Sequence, residues 1–140
     1  MKKAHLIFLI LCAIIFILGC AGKQVVSNVL DSPDKQALYD LMVERCAALS
    51  DTDMNRLTEI YTKDSPELEW IEKEGIPGWI HYGVTYYVHR VKRISIVGID
   101  AAASFNLRGS TASGWPLEKD VEALFVKKGS KWKIESVGER

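Results

Sequence analysis

Apolar and polar positions change their rhythm twice along this chain. Leu6 to Leu18 runs 13 residues without a polar side chain. A bilayer-spanning helix needs about 20 such residues, so the run fits the apolar core of a secretory leader instead. Gly22 to Asp31 has no clear period. It mixes Lys23, Gln24, Ser27 and Asn28 with Val25, Val26, Val29 and Leu30, and reads as a tether whose valines could dock on a domain. From Ser32 the period is helical. Ser32-Pro33 predicts an N-cap followed by the first helical residue. Leu38, Leu41, Met42, Arg45 and Leu49 then form one stripe, with Lys35, Asp40 and Glu44 opposite. Ser50-Asp51 predicts the end of this helix and the cap of a second, whose apolar face is Met54, Leu57, Ile60 and Tyr61. Asp64 and Glu67 are spaced for a capping box on a third helix, which carries Leu68, Trp70 and Ile71 and ends at Gly75. Ile76-Pro77-Gly78 breaks or turns the chain.

Beyond Tyr82 the period becomes two. Val84, Tyr86 and Val88 alternate with Thr85, Tyr87 and His89, and Ile94, Ile96 and Gly98 alternate with Ser95, Val97 and Ile99, before a turn at Ile99-Asp100. This predicts one long strand, or two strands meeting at a bulge near Arg90 to Arg93. Ala103, Phe105 and Leu107 mark a second strand, and Val121, Ala123 and Phe125 a third. Trp132, Ile134 and Ser136 mark a fourth, after a hairpin turn at Lys128-Gly129-Ser130. Gly109 to Pro116 reads as a loop. Helices followed by an antiparallel meander predict an α+β fold, with N-terminal helices packed on a curved antiparallel sheet.

Charge sharpens this division. The 140 residues carry 18 basic and 18 acidic side chains. Without Lys2 and Lys3 the rest has 16 basic against 18 acidic, a charge of −2. That is a poor match for nucleic acid, whose binders carry a basic excess. The length allows one domain. No Cys/His cluster has metal-ligand spacing, and His81 and His89 would stand about 26 Å apart on one extended strand, so neither a metal nor a cofactor is expected.

Ile17-Leu18-Gly19-Cys20, behind the short apolar run, resembles the bacterial lipoprotein signal. In that signal an aliphatic residue sits three before a cysteine and a small residue directly before it. Leucine is commonest at the first of these positions, where this chain has Ile17. The resemblance implies a diacylglyceryl group on the Cys20 thiol, cleavage after Gly19 and acylation of the new amine. The chain would then divide into a cleaved leader (1–19), a lipidated cysteine with its tether (20–31) and a domain (32–140). Ala21-Gly22 after the cysteine, in place of aspartate, implies the outer membrane facing the periplasm rather than the inner membrane. A plain secretory leader and an uncleaved single-span anchor are the alternatives. With Cys12 removed and Cys20 alkylated, Cys46 remains alone and has no disulfide partner. It reads as a small buried hydrophobe or a reactive thiol.

The domain resembles the nuclear transport factor 2-like superfamily. The matching features are the opening helix Asp34–Leu49, the link Ser50-Asp51-Thr52-Asp53-Met54, a short helix ending at Tyr61, and the closing hairpin from Phe125 through Trp132 to Ile134. The resemblance implies a cone-shaped barrel whose helices and bent sheet enclose a cavity open at one end. Glu67 to Tyr82 departs from the common pattern. The superfamily hosts isomerases, cyclases and dehydratases as well as non-catalytic binding modules, and fold does not choose between them.

Candidate ligand-binding residues are His89, Tyr86, Tyr87, Trp70 and Trp79, an aromatic set with one histidine that could bind a flat ligand or move a proton. The alternative is that β-propensity alone enriches tyrosine here. No catalytic pair is matched. Arg90, Lys92 and Arg93 read as a solvated surface or a contact for lipid phosphates, and Arg108 could pair with Glu122 across the sheet. Trp115, between Gly114 and Pro116, is either an exposed contact for a partner or membrane interface, or a plug for the barrel. The expected function is a non-catalytic envelope lipoprotein that binds a small apolar or aromatic ligand or an envelope protein, as a monomer or homodimer. The alternatives are a cavity enzyme performing proton transfer and a structural assembly lipoprotein.

Overall fold

The computed structural model describes residues 29–76 and 85–140. The leader, Cys20 and most of the tether lie outside the described residues, as do His81 and Trp79. Helices α1 (Pro33–Ser50), α2 (Met54–Ile60) and α3 (Pro66–Glu74) precede strands β1 (Thr85–Val97), β2 (Asp100–Ser110), β3 (Pro116–Lys128) and β4 (Lys131–Glu139). The strands form one antiparallel sheet in the order β1-β2-β3-β4. The α+β architecture is therefore as the two periods predict.

Each helix begins where a polar side chain satisfies its first amides. Ser32 caps α1 in an extended conformation, its hydroxyl accepting from Lys35 N at 3.3 Å, with Pro33 inside the first turn. The other two caps differ from the sequence expectation. At α2 the cap is Asp53, which accepts from Arg56 N at 3.2 Å, while Asp51 pairs with the Arg56 guanidinium at 2.7 Å. The chain turns between them through Thr52, whose φ of 55° lies in the left-handed region. At α3 the cap is Ser65, fully buried, followed by Pro66. A proline at the first helical position places the cap one residue earlier, as at Ser32-Pro33, so there is no capping box and Glu67 is free to turn inward.

Leu38, Met42, Cys46 and Leu49 bury one face of α1, chiefly against β1. Phe105, Phe125, Leu57 and Ile134 complete the centre of the core. Cys46 is 2% exposed, and burial pushes its thiol pKa up, so it behaves as a hydrophobe.

β1 is one strand with two bulges. The register skips His89, between Val88↔Leu107 and Arg90↔Asn106, and Lys92, between Val91↔Phe105 and Arg93↔Ser104. Each extra residue reverses the side-chain parity, so the inward positions are Tyr86, Val88, Val91, Ile94 and Ile96. Arg90, Lys92 and Arg93, which a simple alternation would divide between two faces, all stand outside. A third shift skips Glu135 on β4 and turns Val137 inward in place of Ser136. These bulges bend the sheet around α1. The two tight hairpins each put a glycine at positive φ in the first turn position, Gly98 at 64° and Gly129 at 62°.

The end holding these hairpins is closed. Asp34, in the first turn of α1, accepts from Trp132 Nε1 at 2.8 Å and from Lys127 Nζ at 2.9 Å. Those two donors, Trp132 first, hold its carboxyl below the usual aspartate range. Lys127 also lies 5.4 Å from the Trp132 ring centroid, and its amide donates to Ile99 O at 2.7 Å. At this end, α1 and both hairpins are therefore joined into one layer.

Candidate functional site

The opposite end is open. A cavity of about 260 Å³ lies between the C-terminal half of α1, α3 and the inner sheet face. Leu49, Ile71, Leu107, Val121 and Val137 supply apolar walls, with Tyr86 and Trp70 toward the mouth. Trp70 is 49% exposed.

The polar floor comes from a residue that breaks the apolar stripe of α1. Arg45 follows Leu38 and Met42 on the buried face, so its guanidinium enters the protein with only 11% of its side chain exposed. A buried charge needs paired, hydrogen-bonded partners. Arg45 Nε donates to Tyr61 Oη at 2.7 Å and Nη2 to Glu67 Oε1 at 2.5 Å, while Tyr61 Oη donates to Glu67 Oε2 at 2.5 Å. The three side chains thus form a closed triangle, one from each of α1, the end of α2 and the start of α3. Burial opposes the Arg45 charge, but Tyr61 and Glu67 outweigh it and raise the guanidinium pKa. Burial drives the Tyr61 pKa well above the usual phenol value, against the pull of Arg45, so Tyr61 stays a neutral donor.

The rim carries a second charged group. Lys119 has inward parity on β3, with Val121 and Ala123, and pairs with Glu139 on β4. Its ammonium lies 5.6 Å from the Tyr86 ring centroid. Tyr86 in turn packs over Gly109. A Cβ on that glycine would stand 1.8 Å from Thr85 O, so only glycine permits the close approach of β1 and β2 at the mouth. Tyr86 N also donates to Ser50 Oγ at 3.3 Å, which ties the start of β1 to the end of α1.

The structure divides the aromatic set read from the sequence. Tyr86 and Trp70 line the cavity together. Tyr87 and His89 point to the outer sheet face, both exposed, with ring centroids 6.5 Å apart in an edge-on arrangement. His89 is outside because it follows inward Val88 in the simple alternation, and the bulge at this point turns Arg90 outward as well. Around it lies a lattice of cross-strand pairs: Arg108 with Glu118 at 3.1 Å, Lys92 with Asp120, and buried Asn106 donating to both carboxylates at 2.9 Å. Asn106 Oδ1 finds no partner among the described residues. Arg108 does not pair with Glu122, because the β2–β3 register sets it opposite Glu118, and Glu122 meets Arg140 at 3.3 Å instead. Trp115 is 72% exposed in the Thr111–Trp115 loop and does not fill the barrel. Among the described residues no cluster of His, Cys, Asp and Glu could hold a metal.

The sequence reading missed Arg45, Tyr61, Glu67, Lys119 and Glu139 as site residues. Two of them left a signal: a cation on an apolar helical stripe, and a lysine in phase with the buried residues of β3.

Three helices on a curved four-stranded sheet, open at one end, decide the architecture. The chain has the nuclear transport factor 2-like fold. Neither a family model nor a curated protein matches it. Similar solved structures include a nuclear transport factor 2-like superfamily protein from Salmonella enterica, 12% identical with a TM-score of 0.59, over 75% of this chain and 88% of that one. A nuclear transport factor 2-like protein with a cystatin-like fold from Novosphingobium aromaticivorans is 12% identical with a TM-score of 0.62, over 76% and 80%. A protein of unknown function with a cystatin-like fold from Nostoc punctiforme is 13% identical with a TM-score of 0.64, over 76% and 89%. At these identities the likeness is one of nuclear transport factor 2-like architecture alone.

Proposed function

We propose that this protein is a lipid-anchored envelope protein whose domain binds a small apolar or aromatic molecule without transforming it. The observation that carries the reading is the apolar cavity above a polar floor whose groups already satisfy one another. Glu67, the floor's carboxylate, accepts from both Arg45 and Tyr61. A general base must instead be free to take a proton from the ligand. His89, the other candidate for proton transfer, is on the far face of the sheet. The apolar walls and Tyr86 offer a flat or aliphatic body a dry site, and Lys119 and Glu139 at the rim offer it polar contacts.

The anchor belongs to the same proposal. Acylation of Cys20 would hold the domain at one leaflet, the outer membrane facing the periplasm, through N-terminal acyl chains. Native mass spectrometry of the protein extracted from its own host tests the binding reading. A co-purifying small molecule is expected on the wild-type chain and not on Val137→Trp, which fills the cavity, provided both variants melt alike. A homodimer carrying no small molecule would point to assembly instead. A molecule consumed at a rate that Glu67→Gln abolishes would point to catalysis.

A further inference from the structure

We infer that the closed end of the barrel lies against an anionic phospholipid surface and the cavity mouth faces away from it. The inference rests on the lipid anchor at Cys20 proposed above. The chain enters the domain at the closed end. Asp31 pairs with Lys35 at 2.8 Å, and Asp34 is joined to Lys127 and Trp132, whose hairpin is joined in turn to Ile99. Cys20 is nine residues before Val29, and nine residues reach at most about 32 Å. The anchor therefore holds this end close to the bilayer.

The surface presented there has the chemistry of an interfacial contact. Val97 and Ile99, on either side of Gly98, are 75% and 61% exposed, the first and third most exposed of the large apolar side chains described. Lys128 and Lys131 flank the neighbouring hairpin, exposed and without an ion pair among the described residues. Of the acids nearby, Asp31 and Asp34 are engaged by lysines, and Asp100 is exposed. Apolar tips beside uncompensated lysines suit an anionic headgroup layer. Trp115, the other exposed apolar tip, is at the far end of β3. Thirteen residues of strand set it about 40 Å from the closed end. It would then face the periplasm with the cavity mouth.

The test uses the full chain, expressed with its leader and reconstituted into vesicles of phosphatidylethanolamine and phosphatidylglycerol. The vesicles contain a phospholipid brominated near the top of its acyl chains, which quenches tryptophan on contact. The loss of wild-type emission, which includes Trp132 buried at this end, sets the baseline. Ile99→Trp should add a signal that loses roughly half of its intensity, as expected of a side chain at the headgroup boundary. Adding Lys128→Glu and Lys131→Glu should abolish that loss. Equal emission of Ile99→Trp with and without bromine, or wild-type quenching that Trp115→Phe removes, would overturn the inference. Intact mass tests the anchor separately. A chain that proves not to be acylated is remade with Cys12→Ser and coupled to a maleimide-headed lipid through the Cys20 thiol, with Cys46 buried, and its orientation is then read in the same way.

Discussion

The two ends of the barrel use the same helix differently. At the closed end Asp34 reaches outward from α1 to Trp132 and Lys127, and the apolar core lies directly behind them. At the open end Arg45 reaches inward, and the three-way contact with Tyr61 and Glu67 stands where core packing would otherwise continue. One polar contact closes a core and the other floors a cavity. The difference lies in burial: a rim carboxylate can exchange its partners for water, whereas a buried guanidinium cannot.

That contrast predicts unequal costs. Arg45→Met leaves the Glu67 carboxylate without its cation and Tyr61 without its donor, and should destabilise the protein by about 3–5 kcal/mol in chemical denaturation. Arg45→Met with Glu67→Leu should recover much of the loss, and a double variant no better than the single would break the account. Gly109→Ala drives a methyl into Thr85 O. It should cost about 1–3 kcal/mol and shift β1 near Tyr86, seen as lost amide protection at the cavity mouth. Trp132→Phe keeps one aromatic ring but removes the pyrrole half of the indole, and with it the donor to Asp34. It should cost about 1 kcal/mol, less than either change at the open end.

Acid should loosen the closed end. The Asp34 carboxyl has a folded pKa below the ordinary aspartate value, so its contribution is complete above about pH 4. It is lost as the pH falls through the folded value. Asp34→Asn should therefore flatten the acid limb of a stability profile below about pH 4, while Glu118 and Asp120, shifted in the same direction, retain part of it. The smallest effect belongs to the outer face. His89→Ala should change melting by no more than about 0.5 kcal/mol and leave ligand capture intact. Loss of capture in that variant would return His89 to the site.

Much of the fold was legible because it is local. Ser32-Pro33 marks the start of α1, the apolar stripe marks its buried face, and Gly129 marks the second hairpin, whereas the first turn falls at Gly98-Ile99, one residue before the Ile99-Asp100 expected from the alternation. The caps of α2 and α3 were misread by one or two residues, although Ser65-Pro66 repeats the signal at Ser32-Pro33. The site was less legible. Alternation already put His89 on the face opposite Tyr86 and Val88, but it failed between Arg90 and Lys92, where two bulges turn Val91 inward and gather three cations on one face. The same device on β4 brings Val137 to the cavity wall. A bulge changes which face a residue occupies without changing the composition around it.

The sequence by itself determined the order of the elements, the antiparallel meander and the identity of most core residues. Each of these depends on the geometry of a few adjacent residues. Only the tertiary structure decided that Arg45 would meet Tyr61 and Glu67, separated by 16 and 22 residues, and that Asp34 would meet Trp132, 98 residues away. Such pairs form where packing brings distant segments together and removes the water that would otherwise have served every one of these groups.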